Sequence, residues 1–239
     1  MRLNYLNFCL AFLVSISLTH AAWAQNQLED NINLRCVQST NILTLQCDYH
    51  QTIPEPLLGI SAKSGNTSLQ IKEDLNYPRK GGITAILFVI DTSDPARQKV
   101  IEKNIAHIKI MLNSTKDYHR FGLVSFDKVL RNEAPIGSSN KQIIDAAEKL
   151  RAIGKTTELY RNMLKAIQLL RHIEADRKAI FLFSDGLAED KAYYHQDVIN
   201  AAQKYDVAIT SIGYPRSVSQ SVALQTLRRL SEETGGLFI

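Results

Sequence analysis

Two aspartates each follow an apolar segment of the chain directly, and hydroxyl-bearing residues stand beside both. Asp91 and Ser93 come after the apolar segment 83–90, and Asp185 comes after the apolar segment 179–183. A single acid after a strand is often only a helix cap. Two of them, with Ser93 and a threonine-rich loop between, are more than capping requires, and carboxylates, hydroxyls and water are the ligands of a hard divalent cation. The sequence therefore indicates a candidate cation site built on two aspartates.

The segment 83–90 is the one around which the rest of the sequence is organised. It carries almost no polar side chains and is rich in β-branched and aromatic residues, which is typical of a parallel strand buried on both faces. Apolar residues recur at helical spacing in the segments that follow. Further strands are predicted at 121–126, 179–183, 207–212 and 237–239, with 128–134 as a short antiparallel neighbour at the edge.

This alternation of strands and helices predicts the fold class. It is an α/β fold with a doubly wound, mostly parallel sheet and helices on both faces. In open sheets of this kind ligands bind at the carboxyl ends of the strands, which is where Asp91 and Asp185 are expected to lie. The predicted domain covers residues 81–239. Because the chain ends as its last strand begins, we expect either a domain truncated at its C-terminal end or a sheet edge that is partly uncovered.

Residues 1–24 have the features of a secretory signal peptide. Arg2 supplies a positive start, residues 8–18 form a short apolar core, and residues 22–24 offer a small-x-small cleavage site. The apolar core is too short for a comfortable membrane span, and no later segment reaches that length. We expect cleavage before Gln25 and export to the periplasm or the medium, with retention as an uncleaved anchor as the alternative.

Residues 25–80 have a β texture and form a second predicted domain. Apolar and polar residues alternate there, and turn signals at 39–41 and 64–66 separate about four short strands. The segment 78–82 is rich in proline, basic residues and glycine and is predicted to be the linker into the larger domain. So small a module buries little surface, so it needs additional stabilisation.

Two cysteines remain in the predicted mature chain. Cys9 lies in the leader, which leaves Cys36 and Cys47. In an exported protein such a pair predicts a disulfide, and two buried free thiols are the alternative. A bridge that closes so short a loop would stabilise the small module by roughly 2–3 kcal/mol in the chain-entropy model.

Composition and charge argue against several function classes. The chain carries 28 basic and 24 acidic residues, well mixed along its length, for a formal net charge of +4. The sequence has neither a basic run nor basic residues interleaved with aromatic ones, which argues against nucleic acid as a partner. No G-x-S-x-G surrounds Ser93, and the histidines show neither metal nor triad spacing, so the sequence does not favour an enzyme.

Residues 83–239 resemble a von Willebrand factor type A (VWA) domain. The metal-ion-dependent adhesion site of that family uses D-x-S-x-S in a first loop, a threonine in a second loop and an aspartate in a third. Asp91 and Ser93 match the first motif, Thr157 matches the second and Asp185 the third. The short leader and the single cysteine pair suit an exported bacterial member of the family.

The resemblance implies a mechanism of binding rather than of catalysis. It implies that Mg²⁺, or in its place Mn²⁺ or Ca²⁺, is held by four residues: Asp91, Ser93, Thr157 and Asp185. An Asp or Glu of a protein partner would then complete the coordination of the ion. Lys155 and Lys191 are on loops near the site and would favour such an acidic group electrostatically.

One position departs from the family motif. The second serine of the first loop falls at Pro95, which has no hydroxyl, and the neighbouring Asp94 is not at the matching position. Water would have to fill the missing place. Three functions follow: cation-dependent binding of a protein partner, a VWA scaffold that binds without metal, and, least favoured, a metal-dependent hydrolase. Glu189 and Asp190 are expected to cap the next helix rather than to bind metal.

Overall fold

A computed structural model describes residues 14–18, 32–38, 45–51, 59–72, 81–214 and 221–239. The described residues contain ten β-strands, five α-helices and one short 3-10 helix, Pro95–Arg97. The strands are β1 (Val14–Leu18), β2 (Ile32–Gln38), β3 (Leu45–Gln51), β4 (Ile60–Ser64), β5 (Thr67–Leu69), β6 (Thr84–Asp91), β7 (His119–Phe126), β8 (Leu130–Ala134), β9 (Arg177–Ser184) and β10 (Val207–Gly213). The helices are α1 (Gln98–Asn113), α2 (Asn140–Ala147), α3 (Leu159–Arg171), α4 (His195–Lys204) and α5 (Ser221–Glu232).

The central sheet has the strand order β10-β9-β6-β7-β8. β6 pairs in parallel with β7 and β9, β9 pairs in parallel with β10, and β8 is antiparallel at one edge. Beyond β10, the Ser211 N–H donates to the Leu237 carbonyl and the Ile239 N–H donates to the Ser211 carbonyl, both at 2.9 Å. The predicted fold class and the antiparallel edge strand are confirmed. In place of the strand predicted at 237–239 the structure has an isolated parallel bridge between Ser211 and Phe238.

β6 lies at the centre because both of its faces are apolar. Successive side chains of a strand point to opposite faces, so Leu87 and Val89 belong to one core and Phe88 and Ile90 to the other. Residues of α3, α4 and α5 complete the first core, and residues of α1 and α2 complete the second. A strand with two apolar faces is stable only where helices cover the sheet on both sides.

The order of the strands reverses next to β6. The chain runs from β6 to β7 and β8 on one side of it, and then crosses to β9 and β10 on the other. In open α/β sheets such a switch point leaves a crevice at the carboxyl ends of the two central strands. Since β6 ends at Asp91 and β9 ends at Ser184, the loops that follow these two strands flank the crevice.

The helices begin in two different ways. α2 has a local cap, because the Ser139 hydroxyl accepts from the Gln142 N–H and the Gln142 side chain accepts from the Ser139 N–H. α3 has no side-chain cap from Glu158, the residue before it. The longest of the described helices, α1, has 16 residues, and within the described residues no helix is long and apolar enough to cross a membrane.

The described strands before residue 81 form two small sheets, β1-β4-β5 and β2-β3. β4 and β5 form an antiparallel hairpin, and Gly65 in its turn has φ +56°, a conformation that glycine adopts without strain. β1 lies inside the predicted leader and pairs antiparallel with β4. The removal of residues 1–24 stays a prediction.

The chain divides into two compact units, one of residues 1–33 and 49–76 and the other of residues 34–48 and 77–239. The division therefore groups residues 34–48 with the central sheet, whereas the β module predicted from the sequence covers residues 25–80. The domain boundaries stay a prediction. The predicted turn at 39–41 and residues 78–80 of the predicted linker lie outside the described residues.

Candidate functional site

The first loop (residues 92–97) begins at the end of β6 with a hydrogen-bonded group around Asp91. The Ser93 hydroxyl donates to Asp91 Oδ1 at 2.6 Å, and the Ser93 N–H donates to the same oxygen at 2.9 Å. The other oxygen, Oδ2, accepts from the Ser184 hydroxyl at the end of β9, at 2.8 Å. The carboxylate of Asp91 therefore joins the ends of the two central strands.

The second loop (residues 148–158) brings Thr157 to the first. The Thr157 hydroxyl donates to the Ser93 hydroxyl at 2.6 Å, and Thr157 is 5% exposed. Gly154 makes this approach possible, because its N–H donates to the Thr92 carbonyl at 3.0 Å. A Cβ at Gly154 would lie 2.4 Å from the Cβ of Asp127, so no other residue fits there without movement.

The third loop (residues 185–194) is tied to the second by two acids. The Thr157 N–H donates to Glu189 Oε2, and the Glu189 N–H donates to the Thr157 carbonyl, both at 2.7 Å. The Asp190 carboxylate accepts from the Tyr160 N–H at 3.0 Å and the Arg161 N–H at 2.9 Å. The expectation that these acids cap the next helix, α4, is wrong: Asp190 caps α3, which precedes it in the chain and has no local cap.

Asp185, at the start of the third loop, is 1% exposed and is paired with an arginine. The Arg97 guanidinium contacts Asp185 Oδ2 through Nη1 at 2.6 Å and donates to the Tyr214 carbonyl through Nη2 at 2.7 Å. The Leu187 N–H donates to Asp185 Oδ1 at 3.0 Å. Arg97 was not predicted from the sequence as a residue of the site. Its only signal was a basic residue two positions after Pro95, in the loop that carries the first motif.

Asp94 and Pro95 shape the first loop. Pro95 starts the 3-10 helix, and the Asp94 carboxylate accepts from the Ala96 N–H at 2.9 Å. Asp94 therefore serves as the cap of this short helix, in the manner of an Asx turn. Pro95 stands at the position of the second motif serine. Together with its cap, Asp94, it directs the chain into α1 and places Arg97 next to Asp185.

The two aspartates have different electrostatic surroundings. Burial raises the pKa of the Asp91 carboxyl above its ordinary value, and the nearby charge of Asp185 adds to the rise. Hydrogen bonds from Ser93 and Ser184 act in the opposite direction and do not outweigh it. Asp185 has a full positive charge beside it in Arg97, whereas Asp91 accepts hydrogen bonds from the hydroxyls of Ser93 and Ser184 and from the Ser93 N–H group. A cation beside Asp91 would stabilise its charged form.

The oxygen atoms of these loops suit a hard divalent cation in their chemistry. Asp91, Ser93 and Thr157 form a continuous series of oxygens joined at 2.6 Å, and the charge of Asp185 acts on Asp91. An ion such as Mg²⁺ keeps several waters and needs only one or two carboxylates. In the described part of the chain no three acidic, histidine or cysteine side chains are grouped to hold a metal, so a metal here would depend on the hydroxyls.

The rim of the candidate site is exposed and mixed in character. Lys155 on the second loop and Lys191 on the third are both exposed, as predicted for loop lysines. Large apolar side chains lie beside them in the sequence: Ile153 is 68% exposed and Tyr194 is 63% exposed. A partner that reaches the crevice would therefore meet positive charge and apolar surface on the same two loops.

A doubly wound α/β domain with acidic and hydroxyl side chains gathered at its switch point defines the class of this protein. The sequence model of the von Willebrand factor type A domain matches residues 85–239. The chain therefore belongs to the VWA family, whose members generally mediate protein–protein interaction. Among curated proteins, none matches the sequence.

Solved structures with the same fold include bacterial proteins. An aerotolerance-related membrane protein from Bacteroides fragilis superimposes with a TM-score of 0.56 at 13% identity, over 66% of this chain and 90% of that one. BatB from Bacteroides thetaiotaomicron gives 0.52 at 16% identity, over 66% and 89%. The vWF domain of the type V pili tip protein Mfa5 from Porphyromonas gingivalis gives 0.52 at 14% identity, over 66% and 90%. At these identities the likeness establishes the fold.

Proposed function

We propose that this protein is an exported, non-enzymatic interaction protein that binds an acidic group of a protein partner through a divalent cation. The proposed ligands of the ion, Mg²⁺ or in its place Mn²⁺ or Ca²⁺, are Asp91, Ser93, Thr157 and Asp185. The observation that carries the proposal is the convergence of three loops at the switch point, where hydroxyl and carboxylate oxygens meet at 2.6 Å.

The residues of the three loops have different parts in this mechanism. The bound ion would supply a coordination position that a carboxylate of the partner completes. Ser93 and Thr157 present neutral oxygens, so among the proposed ligands only Asp91 and Asp185 offset the charge of the ion. Glu189 holds the backbone of Thr157 through two hydrogen bonds of 2.7 Å, and the exposed Lys155 and Lys191 attract acidic groups to the rim.

Export is part of the proposal and is supported by the sequence of the leader. A short positive start, an apolar core and a small-x-small site at residues 22–24 are the parts of a signal peptide. Two proteins of the same fold are described as a membrane protein and as a pilus tip protein. A disulfide between Cys36 and Cys47 is part of the same proposal, since an oxidising compartment would allow it.

A second candidate is an interaction protein of the same fold that works without metal. Two observations favour it: Pro95 has no oxygen to offer at the second serine position, and the Arg97 guanidinium already lies 2.6 Å from Asp185. In this case the oxygens of the first loop would serve only to join β6 and β9. A hydrolase is not proposed, because no nucleophile motif surrounds Ser93.

Calorimetric titration of Mg²⁺ and Mn²⁺ into the metal-stripped protein tests the proposal. We expect saturable binding that is lost in Asp185→Ala, which removes a proposed ligand, and in Asp91→Asn, which removes the negative charge of another. The matched control is Asp94→Asn, an acid of the same loop that caps the 3-10 helix through one oxygen. This variant keeps an acceptor for the Ala96 N–H, and we expect it to bind the ions as the unaltered protein does.

The partner chemistry is tested on the same samples. Immobilised peptides that present Asp or Glu are compared with otherwise identical peptides that present Asn or Gln, with Mg²⁺ and with EDTA. Retention that needs both the acid and the ion supports cation-mediated binding. Absence of ion binding in all four proteins refutes the metal mechanism, and peptide binding that persists in EDTA favours the metal-independent candidate.

A further inference from the structure

Arg97 is a cation built into the first loop of the candidate site. Its side chain is 14% exposed, and its guanidinium lies 2.6 Å from an oxygen of Asp185. The second anchor, the Tyr214 carbonyl at the end of β10, accepts from Nη2 at 2.7 Å. An arginine stays protonated at all ordinary pH values, so Asp185 has a permanent counter-ion supplied by the same chain.

The position of Arg97 follows from the first loop. Asp94 caps the 3-10 helix that Pro95 begins, and Arg97 is its last residue. The loop that contributes Ser93 to the proposed metal site therefore also delivers a positive charge to the acid of the third loop. Asp91 and Asp185 interact electrostatically, so a cation that served both carboxylates would lie in the field of the guanidinium.

We propose that Arg97 is a tethered cation that competes with a divalent ion for Asp185 and thereby weakens metal binding. This inference rests on the proposed function, since it concerns the same site. Like charges that share one carboxylate repel each other, and the repulsion is little screened where the groups are buried. The arginine also gives Asp185 a partner without metal, so the third loop keeps its conformation in the metal-free protein.

The inference makes two predictions that run in opposite directions. Removing the guanidinium leaves Asp185 buried with no charged partner from Arg97, which lowers stability in the absence of metal. The same change removes the competitor, which tightens metal binding by about tenfold or more. A residue that only supported the fold would lower stability and would weaken metal binding or leave it unchanged.

The test compares three variants by metal titration and by thermal unfolding with EDTA and with Mn²⁺. Arg97→Gln removes the charge, and Arg97→Lys keeps the charge on a group that cannot make both contacts of the guanidinium. Arg131→Gln is the matched control, because Arg131 pairs with Asp127 at 2.8 Å, another acid that directly follows a strand of the same sheet. All measurements use the full chain.

For Arg97→Gln we expect a lower melting temperature in EDTA, a larger rise on addition of Mn²⁺ than in the unaltered protein, and a Kd for Mn²⁺ lower by about tenfold or more. The melting temperature and the Kd of Arg97→Lys should lie between those of the unaltered protein and those of Arg97→Gln. Arg97→Lys also keeps the test valid if Arg97→Gln does not fold. Arg131→Gln should lose stability without a change in the Kd.

The outcomes separate this inference from the proposed function. If the unaltered protein binds Mn²⁺ and both Arg97 variants bind it equally or less tightly, the competition is refuted and the metal site stands. If only the Arg97 variants bind Mn²⁺, the competition is supported and the native protein functions without metal. If no protein binds Mn²⁺, both proposals are refuted.

Discussion

Asp190 provides the cap of a helix that precedes it in the chain, and its replacement should destabilise the protein. α3 begins at Leu159 with no side-chain cap from Glu158. The Asp190 carboxylate accepts instead from the Tyr160 N–H at 3.0 Å and from the Arg161 N–H at 2.9 Å. These are the second and third residues of the helix, whose N–H groups have no partner within it. Asp190→Ala leaves both donors without this acceptor.

The magnitude follows from two contributions. Loss of an N-cap costs about 1 kcal/mol, and up to about 2 kcal/mol. Loss of a negative charge at a helix N-terminus costs about 0.3–1 kcal/mol more. We therefore expect Asp190→Ala to lower the free energy of unfolding by about 2 kcal/mol, which corresponds to a fall in melting temperature of about 4–8 °C for a domain of this size. Asp190→Asn retains one acceptor oxygen and should lose about half as much.

Urea unfolding and Mn²⁺ titration together distinguish this cap from an ordinary one. Ser139→Ala removes the local cap of α2 and should cost about 1 kcal/mol without altering metal affinity. Asp190→Ala should also weaken Mn²⁺ binding, because Asp190 ties the third loop to the helix that follows Thr157. A loss below about 0.5 kcal/mol in Asp190→Ala would refute the capping role. Unchanged Mn²⁺ affinity would refute the link to the site.

Two further predictions concern the packing and the charge beside the second loop. Gly154→Ala places a Cβ 2.4 Å from the Cβ of Asp127 and 2.9 Å from the Cα of Ser93. We expect the free energy of unfolding in urea to fall by about 1–3 kcal/mol and Mn²⁺ binding to weaken. Wild-type values for both would contradict the close packing. Burial alone would raise the pKa of Asp127, but hydrogen bonds from Arg131 and the Val129 N–H bring this pKa below its ordinary value. The stabilisation of the fold by charged Asp127 and its partners is therefore present above about pH 4 and is lost as the pH falls further. Arg131→Gln should be less stable than the unaltered protein above that pH, and the difference in the free energy of unfolding should shrink in acid.

The sequence predicts the fold well because the fold rests on local patterns. The segment 83–90 is apolar on both faces, and only the middle of a covered sheet accommodates such a strand. Ser139 is recognisable as a cap because its partner Gln142 is three residues away. The antiparallel edge strand β8 follows from its short connection to β7. Each of these features depends on residues that are close in the chain.

The contacts that hold the loops together depend on residues far apart in the chain. Asp190 caps a helix that begins about thirty residues earlier, and a cap is normally sought directly before the helix. Arg97 and Asp185 meet because β6 and β9 are neighbours in the sheet, which no spacing in the sequence reveals. The sequence pattern alone singles out Asp91, Ser93 and Asp185, and the resemblance to the family adds Thr157. The role of these residues as metal ligands stays a prediction.

Asp91 and Asp185, the two acids of the switch point, have different partners, and this difference bears on how the site works. Asp91 is held by hydroxyls from two strand ends, which a cation can approach while the hydrogen bonds rearrange. Asp185 is held by a guanidinium that its own chain supplies. The loops are therefore joined by contacts that need no ion: Gly154 to Thr92, Glu189 to Thr157 and Arg97 to Asp185. Since these contacts supply the order of the crevice, a metal ion would contribute affinity for a partner rather than the structure of the site. Stability without metal and partner binding with metal are consequently separate quantities in this domain, and Arg97 is the residue at which a single substitution should move them in opposite directions.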